Sequence, residues 1–338
     1  MSLVASVIVP TYNRESMLEK CVSALLTVPT EFRYEVVIVD DCSQDGTEGV
    51  VRGLQRRFGN VCYIRNGANS GRCKTRNNGI LAAKGWLIVM LDDDIVPEPG
   101  FLSAHCLRHC QDESSRIAVI GSVRYASESI HGTNIGRYLQ SRYLSSRNEE
   151  RIDKTDLQPQ HFGTGNCSFR REDALRAGLL DERFRYYGGE DVFFGYKLRS
   201  VGVRLAFCEE AIGIHWDKVG IDEQKEKIMQ TSRNGMKIIL SEAPGLLESS
   251  PARYLAPYDP QIDSIKTMLI KAIVHGLAHS RVARAAERFA KWSDGIPWLY
   301  SKLLFHYLMT SWTIAGLKEP SSRRETVRYE SNGTGQQR

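Results

Sequence analysis

Three consecutive aspartates, Asp92, Asp93 and Asp94, follow the apolar segment 87–91. Adjacent carboxylates repel each other, so a cation is needed to stabilise them in their ionised form. Carboxylate oxygens suit Mg²⁺ and Mn²⁺, and Mg²⁺ commonly binds substrate phosphates alongside one or two carboxylates. A solvated acidic turn is the alternative, but the apolar segment before the cluster favours a metal site that holds a phosphate-bearing ligand.

A second acidic pair, Asp40 and Asp41, follows the apolar segment 36–39. A carboxylate here could accept a hydrogen bond from a base N–H or from a ribose hydroxyl, which would select a nucleotide. The pair could instead form an Asx-turn that caps the next helix, and both roles can hold at once. We expect at least one of the two aspartates to contact a nucleotide.

A glycine-containing turn, 69–72, leads into a segment that carries Arg72, Lys74 and Arg76. Helix N-termini and cationic side chains both bind phosphate, although a solvated basic face would look the same in the sequence. The turn contains neither the P-loop motif nor GxGxxG.

A further acidic turn, Gly188-Gly189-Glu190-Asp191, precedes a segment with helical periodicity. Two glycines allow another group to approach the backbone closely, and a carboxylate there could deprotonate an acceptor hydroxyl. Capping of the following helix is the alternative interpretation. His215 follows a predicted strand, but an isolated histidine is more often structural than a metal ligand.

Hydrophobic periodicity places these clusters on an α/β scaffold. The predicted strands are 3–9, 36–39, 61–64 and 86–91, and the predicted helices are 14–27, 47–58 and 73–83. Strands that alternate with helices of this length indicate βαβ units, and therefore a Rossmann-like, mostly parallel sheet flanked by helices. Four polar clusters follow the carboxyl ends of strands, the edge at which open α/β sheets bind ligands.

The second half of the chain has a less regular pattern. We predict helices near 134–144, from 171, at 192–201 and at 221–240, strands near 203–207 and 211–214, and a loop at 244–260. The predicted division is a catalytic domain at 1–245 (halves 1–120 and 121–245), a linker at 246–261, a helical extension at 262–318 and a flexible tail at 319–338.

The net charge of +5 lies in the C-terminal part of the chain. From Gln261 onward 12 basic and 6 acidic residues give +6, which leaves −1 for residues 1–260. No dense basic stripe with interleaved aromatics occurs, so nucleic acid is not an expected partner. The aromatic stretch 298–312 is expected to pack on the catalytic domain or on a second subunit, or alternatively to lie on an anionic membrane.

Eight cysteines without zinc-ligand spacing indicate free thiols in a reducing compartment. No signal peptide and no apolar run of about 18 residues is evident, so the expected location is cytoplasmic. The alternative location is a peripheral one, on the inner face of the membrane.

Taken together, these residues resemble the family 2 inverting glycosyltransferases of the GT-A fold. The resemblance covers about 4–240 and rests on the segments 7–14, 37–47, 69–71, 75–79, 91–94 and 188–191. It implies that Asp191 is the general base and that Glu190 contacts the donor sugar or the acceptor. It also implies a Mn²⁺ or Mg²⁺ ion held by Asp94, Asp92 and His215.

The resemblance further implies a set of contacts to a nucleotide-sugar donor, UDP-linked by family frequency. These residues are Pro10, Thr11, Tyr12, Asn13, Arg14, Asp40, Asp41, Asn69, Gly71, Arg76, Asp92, Asp93, Thr164, Gly165 and Asn166. Thr11 and Asp41 would contact the base, and 164–166 would line the sugar pocket.

The expected reaction is metal-dependent transfer of a single sugar to a hydroxyl or amine, with inversion. The segment 230–234 has QxxR but lacks the tryptophan of the QxxRW motif of processive synthases, which favours a single addition. A sugar-1-phosphate nucleotidyltransferase and a non-catalytic nucleotide-sugar-binding protein are the competing interpretations.

Overall fold

The protein is described by a computed structural model over residues 4–111, 116–130, 132–144, 153–217, 219–248, 251–255, 258–259, 263–278 and 280–320. The predicted flexible tail therefore lies outside the described residues beyond 320. One mixed sheet organises the fold, in the order β3-β2-β1-β4-β7-β6-β8-β5. Its strands are β1 (Ala5–Thr11), β2 (Tyr34–Asp40), β3 (Val61–Arg65), β4 (Leu87–Leu91), β5 (Ile95–Pro97), β6 (Ile117–Tyr125), β7 (Asn166–Arg170) and β8 (Arg204–His215).

Helices flank this sheet and continue beyond it. The helices of the described residues begin with α1 (Glu15–Thr27), α2 (Thr47–Arg57), α3 (Arg72–Ala82), α4 (Phe101–Cys110), α5 (Ser127–Ile130), α6 (Asn134–Gln140) and α7 (Arg171–Arg176). They continue with α8 (Glu190–Ser200), α9 (Ile221–Gln230), α10 (Met236–Glu242), α11 (Gly245–Glu248), α12 (Ile265–Leu277), α13 (Ser280–Ser293) and α14 (Lys302–Lys318). A π-helical turn, Thr231–Gly235, joins α9 to α10.

The first half of the chain forms the parallel part of the sheet, as the periodicity predicts. β1 pairs in parallel with β2 and β4, and β2 pairs in parallel with β3. These strands are apolar on both faces because helices cover both: α1 and α2 pack on one face, and α3 on the other. Strand and helix ends differ from the predicted ones by one or two residues, and all predicted elements of this half are present.

The second half introduces antiparallel pairing, which the sequence did not predict. β7 runs antiparallel to both β4 and β6, and β5 runs antiparallel to β8. The two strands expected near 203–207 and 211–214 are one strand, β8, interrupted by a bulge where its register against β6 shifts between Gly121 and Ser122. The helix expected at 192–201 begins at Glu190, which places Glu190 and Asp191 in its first turn.

In the described part of the C-terminal region, where the sequence predicts a helical extension, lie the three longer helices α12, α13 and α14. Phe305, Leu308 and Trp312 of α14 are buried in a cluster that also contains Tyr138 and Ile221. Most of the aromatic stretch at 298–312 therefore packs onto the first 245 residues, the first of the alternatives that the sequence left open. Part of the predicted loop at 244–260 is helical, in α11 and in a short 3₁₀ turn.

None of the helices in the described part of the chain combines the length and the apolar character that a bilayer crossing requires.

Candidate active site

The aspartate cluster lies directly after β4, and each of its three carboxylates has a different partner. Asp92 accepts from Arg76 at 2.5 Å, and Asp93 accepts from the Thr11 hydroxyl at 2.7 Å. Asp94 accepts from Arg14 at 2.5 Å. Arginines thus neutralise the two outer carboxylates, while the middle one is buried against the end of β1.

Strand pairing brings His215 to the cluster. Ile95 of β5 pairs with His215 of β8, and the Trp216 amide donates to the Asp94 carbonyl at 2.8 Å. The His215 Nε2 atom consequently lies 3.5 Å from Asp94 Oδ1. Asp217, two residues further along the extended chain, completes a group in which ligand atoms of Asp94, His215 and Asp217 lie within 4.8 Å of one another.

Two carboxylates and an imidazole form a donor set that fits Mn²⁺ or Mg²⁺. Asp92, which the resemblance placed on the metal, is not in this group. Its carboxylate instead pairs with the buried Arg76.

The charges of Asp94 and His215 support each other. Burial raises the pKa of Asp94, but the hydrogen bond and charge of His215, together with Arg14, outweigh burial and hold that pKa well below its usual range. Burial lowers the pKa of His215, yet the hydrogen bond and charge of Asp94 raise it overall. Burial raises the pKa of Asp93 to about 7, against the opposing charge of Arg14.

Two tyrosines fix the orientation of His215. The Tyr143 hydroxyl lies 3.1 Å from His215 Nδ1, and the Tyr125 ring stacks on the imidazole with centroids 5.0 Å apart. When Nδ1 carries the proton and donates to Tyr143, Nε2 is left free to accept or to ligate. Nothing in the sequence pointed to Tyr143, because it lies 72 residues from His215 along the chain.

The loops after β2 and β3 are built around Asp41. Its carboxylate accepts from the backbone amides of Ser70 at 2.8 Å and Gly71 at 2.9 Å, and from the Asn66 side chain at 2.8 Å. Gly71 has φ +86°, which a glycine adopts without the steric cost of a Cβ atom. Asp41 therefore fixes the turn at 69–72 while lining the same cleft as the aspartate cluster.

Asp40 and Asn13 stabilise the loops that follow β1 and β2. Asp40 is fully buried and accepts from the Ser43 amide at 2.8 Å and from the Tyr63 hydroxyl at 2.7 Å, so it stabilises the turn after β2. It does not cap α2, where Asp45 accepts from the Thr47 amide instead. Asn13, with φ +50°, accepts from the Gln44 amide at 2.7 Å and joins the loops after β1 and β2.

The acidic turn depends on its two glycines. Gly188 and Gly189 both have φ +95°, and a Cβ at Gly188 would lie 1.9 Å from the Thr231 hydroxyl of the π-helical turn. Arg72 stacks on the Tyr187 ring at 4.8 Å and reaches Glu190 at 3.5 Å. The turn is thus clamped between α3 and the π-helical turn.

Asp191 lies in the first turn of α8, next to Glu190. Its Oδ1 accepts from the Thr164 hydroxyl at 2.5 Å, and the carbonyl of the next residue, Gly165, accepts from the Asp92 amide, so Asp191 lies near the aspartate cluster. Burial first, and then the charge of Glu190, raise the pKa of Asp191 to about 7. Glu190 is 4% exposed, and among the described residues its Oε2 atom has no hydrogen-bond partner.

Glycine and asparagine at 165–166 have supporting positions. The Gly165 carbonyl accepts from the Asp92 amide at 3.0 Å, and a Cβ at Gly165 would lie 2.8 Å from Asp92 Oδ2. Asn166 donates to the carbonyls of Ser122 and Ala211 and shares a hydrogen bond with His105, all inside the protein. Asn166 therefore holds the bulge in β8, which corrects its expected place in the sugar pocket.

Nine of the nineteen site residues predicted from the sequence line one cleft, and Arg72 and Thr75 line it with them. The lining residues of that cleft are Pro10, Thr11, Tyr12, Arg14, Asp41, Arg72, Thr75, Arg76, Asp92, Asp93 and Asp94. Asn69 is exposed and does not line it. The sequence reasoning missed Thr75 and Asp217; the two-residue spacing from His215 to Asp217 along an extended chain was the available signal.

A sheet of this order, with an acidic cluster after β4 and an acidic turn opening α8, is the GT-A fold. A mannosyltransferase from Pyrobaculum calidifontis, solved with GDP-Man and Mn²⁺, is similar to this chain with a TM-score of 0.60 at 16% identity. That likeness covers 94% of this chain and 86% of that one. The chain belongs to glycosyl transferase family 2, which it matches over residues 6–179.

Curated relatives share the same region at low identity. A chondroitin synthase of Escherichia coli is 28% identical over 249 residues, which are 66% of this chain and 36% of that protein. A validoxylamine A glucosyltransferase of Streptomyces hygroscopicus subsp. limoneus is 27% identical over 236 residues, covering 62% of this chain and 51% of the relative. The chain thus spans about a third to a half of the length of these relatives.

Proposed function

We propose that this protein is an inverting glycosyltransferase that moves one sugar from a nucleotide-diphosphate sugar, UDP-linked, to a hydroxyl or amine acceptor. The observation that carries the proposal is Asp191: a carboxylate with a pKa of about 7, held by Thr164 near the aspartate cluster that lines the cleft. A base whose pKa lies near the working pH combines a useful ionised fraction with a strong tendency to take a proton.

The nucleotide is proposed to bind at the cleft between β1 and α3. Thr11, Tyr12 and Asp41 line it, and a base and ribose would find hydroxyl and carboxylate partners there. Arg72 and Arg76 line the same cleft at the start of α3, where cationic side chains and helix amides both attract phosphate. These contacts would place the diphosphate next to Asp92 and Asp94.

A divalent ion, Mn²⁺ or Mg²⁺, is proposed at Asp94, His215 and Asp217. The donor set supports it, as does the similar mannosyltransferase, which was solved in complex with Mn²⁺. When bound, such an ion offsets the charge that builds on a leaving diphosphate. Tyr143 keeps His215 aimed at Asp94, and Arg14 balances the remaining charge of the carboxylates.

Asp191 is proposed to take the proton of the acceptor hydroxyl or amine as the acceptor attacks the anomeric carbon from the side opposite to the diphosphate. Thr164 fixes the carboxylate through Oδ1, which leaves Oδ2 to accept the proton. The buried, unpartnered Oε2 of Glu190 is suited to accept a hydrogen bond from a sugar hydroxyl, because a buried acceptor without a partner is costly.

The test is a donor screen in which release of nucleoside diphosphate and formation of glycosylated product are measured together. Asp191→Asn should retain donor binding while transfer falls by about 10²–10⁴-fold. Asp181→Asn is the matched control: this carboxylate lies in the preceding loop, bonds to Arg183, and should leave transfer unchanged. EDTA should abolish transfer, and Mn²⁺ or Mg²⁺ should restore it.

Each contrary outcome points to a different activity. Intact transfer by Asp191→Asn would remove this residue from the role of base. Release of pyrophosphate in place of nucleoside diphosphate would make the protein a sugar-1-phosphate nucleotidyltransferase. Donor binding without any turnover would make it a nucleotide-sugar-binding protein.

A cytoplasmic location is proposed with this activity. All eight cysteines, including the exposed Cys110, are free thiols. Free thiols are typical of proteins in a reducing compartment. Measurement of the redox state of these thiols in cell extracts would test the proposal, and an intermolecular disulfide at Cys110 would contradict it.

A further inference from the structure

Large apolar side chains are concentrated on the outer surface of α12 and α13 and on the segment after them. Of the fifteen large hydrophobic residues that are exposed among the described residues, nine lie between 265 and 303. They are Ile265, Leu269, Ile273 and Leu277 of α12, Val282, Phe289 and Trp292 of α13, and then Trp298 and Leu303. We call these nine residues the outer apolar surface.

The spacing shows that each helix presents one apolar face to the outside. The four residues of α12 recur every four positions, which places them along one side of the helix. Their exposed fractions run from 56% to 75%, values unusual for a whole row of leucines and isoleucines.

The exposed apolar residues of α13 are not the side of the helix that packs against the protein, because a different side of α13 is already buried there. Ala290 lies in the cluster with Phe305 and Trp312. Glu287 accepts from the Trp312 indole at 3.2 Å, and Asp294, just after the helix, accepts from the Ile135 amide at 2.8 Å. α13 is therefore fastened by its inner side, with Phe289 and Trp292 left outside.

Basic side chains accompany this surface. Residues 265–293 contain six Lys or Arg and one acidic residue, Glu287, which faces inward. Arg281, Arg284 and Arg288 are exposed, and none forms an ion pair with a carboxylate that the structure describes. Lysine and arginine can keep their charge in water while their aliphatic stems lie against apolar groups.

We propose that α12 and α13 form a docking surface for an anionic phospholipid membrane, with the outer apolar surface in the headgroup boundary and the three arginines against lipid phosphates. Apolar faces that carry tryptophan and leucine beside Lys and Arg are suited to this interface. The basic residues favour an anionic membrane over a second copy of this chain as the partner. A second copy would bring the same basic residues to the contact, and the like charges would repel each other.

The test is vesicle flotation of the full chain. Vesicles in which about one third of the phosphatidylcholine is replaced by phosphatidylglycerol should carry the protein, and pure phosphatidylcholine vesicles should not. Leu269→Gln with Ile273→Gln should lower partitioning at least about tenfold. Arg284→Gln with Arg288→Gln should lower it by about thirtyfold at low salt.

The control is Leu107→Gln on α4, where the native leucine is 46% exposed but lies outside the surface, and which should float like wild type. Circular dichroism spectra that match wild type show that the variants are folded. Equal binding to both vesicle types, or unchanged binding by the α12 variant, would overturn the proposal. So would a dimer in sedimentation that the α12 substitutions dissociate, because that result makes a second copy the partner.

Discussion

Replacement of Gly188 by alanine should damage both stability and catalysis. The backbone there has φ +95°, where an alanine costs about 1–2 kcal/mol because its Cβ crowds the backbone. The new Cβ would also lie 1.9 Å from the Thr231 hydroxyl, and overpacking of this kind costs about 1–3 kcal/mol. The expected loss in the free energy of unfolding is therefore about 2–5 kcal/mol.

Gly188→Ala should also slow catalysis, because the strained turn lies directly before the proposed base. Gly188 and Gly189 precede Glu190 and Asp191 directly, so a shift in the turn moves the proposed base. A misplacement of about 1 Å commonly costs about 10²-fold in rate, and we expect kcat to fall by that order. Urea denaturation measures the first effect, and initial rates of nucleoside diphosphate release with saturating acceptor measure the second.

Thr231→Ala separates the two sources of strain. Alone it removes hydrogen bonds to the carbonyls of Tyr187 and Lys227 and should cost about 1 kcal/mol. In the double variant it removes the contacts of the new Cβ with Oγ1, the closest, and with Cγ2, but leaves the Thr231 Cβ position 2.7 Å away. The double variant should therefore be more stable than the sum of the single losses predicts, by about 1 kcal/mol.

Gly49→Ala in α2 is the matched control, because a Cβ there meets nothing within 4 Å and alanine is the better helix former. It should be neutral or slightly stabilising. Wild-type stability of Gly188→Ala would refute the reasoning about strain, and simple additivity with Thr231→Ala would refute the role of the Thr231 contact.

Two further predictions concern the groups around the site. The value of kcat/KM should fall as pH falls through about 7, because Asp191 must be ionised to act as a base. Thr164→Val removes a hydrogen bond that lowers the Asp191 pKa, so this variant should move the inflection to higher pH. A flat profile between about pH 6 and 8 would contradict the assignment of Asp191 as the base. Tyr143→Phe should raise the Mn²⁺ concentration needed for half-maximal activity by about 10–100-fold, while kcat at saturating Mn²⁺ should stay close to wild type. An unchanged metal requirement would show that Tyr143 does not orient His215.

The sequence predicts the first half of the fold well because local patterns determine it. β1 to β4 are continuous apolar runs, and their polar ends, from Thr11 to Asp94, meet at one edge whatever the details of packing. The cleft that Asp41, Arg76 and Asp92 share is a consequence of that topology.

The rest of the site depends on contacts between distant segments, which periodicity does not encode. The antiparallel pairing of β5 with β8 brings Asp217 to Asp94, and the contact with Tyr143 arises across an irregular segment. Asn166 looked like a pocket residue because it follows Thr164 and Gly165, but the bulge in β8 uses its amide. Amphipathic patterns also did not tell which apolar face of the C-terminal helices is buried.

Gly316 of α14 has a consequence for how this chain can diverge from its relatives. A Cβ at Gly316 would lie 2.8 Å from the Met229 carbonyl and from Ser232, so α14 rests directly on the turn that supports Gly188. The family match ends at residue 179, before the acidic turn and its supports. Mutations in α14 can therefore shift the turn that carries Glu190 and Asp191 while the cleft between β1 and α3 stays unchanged.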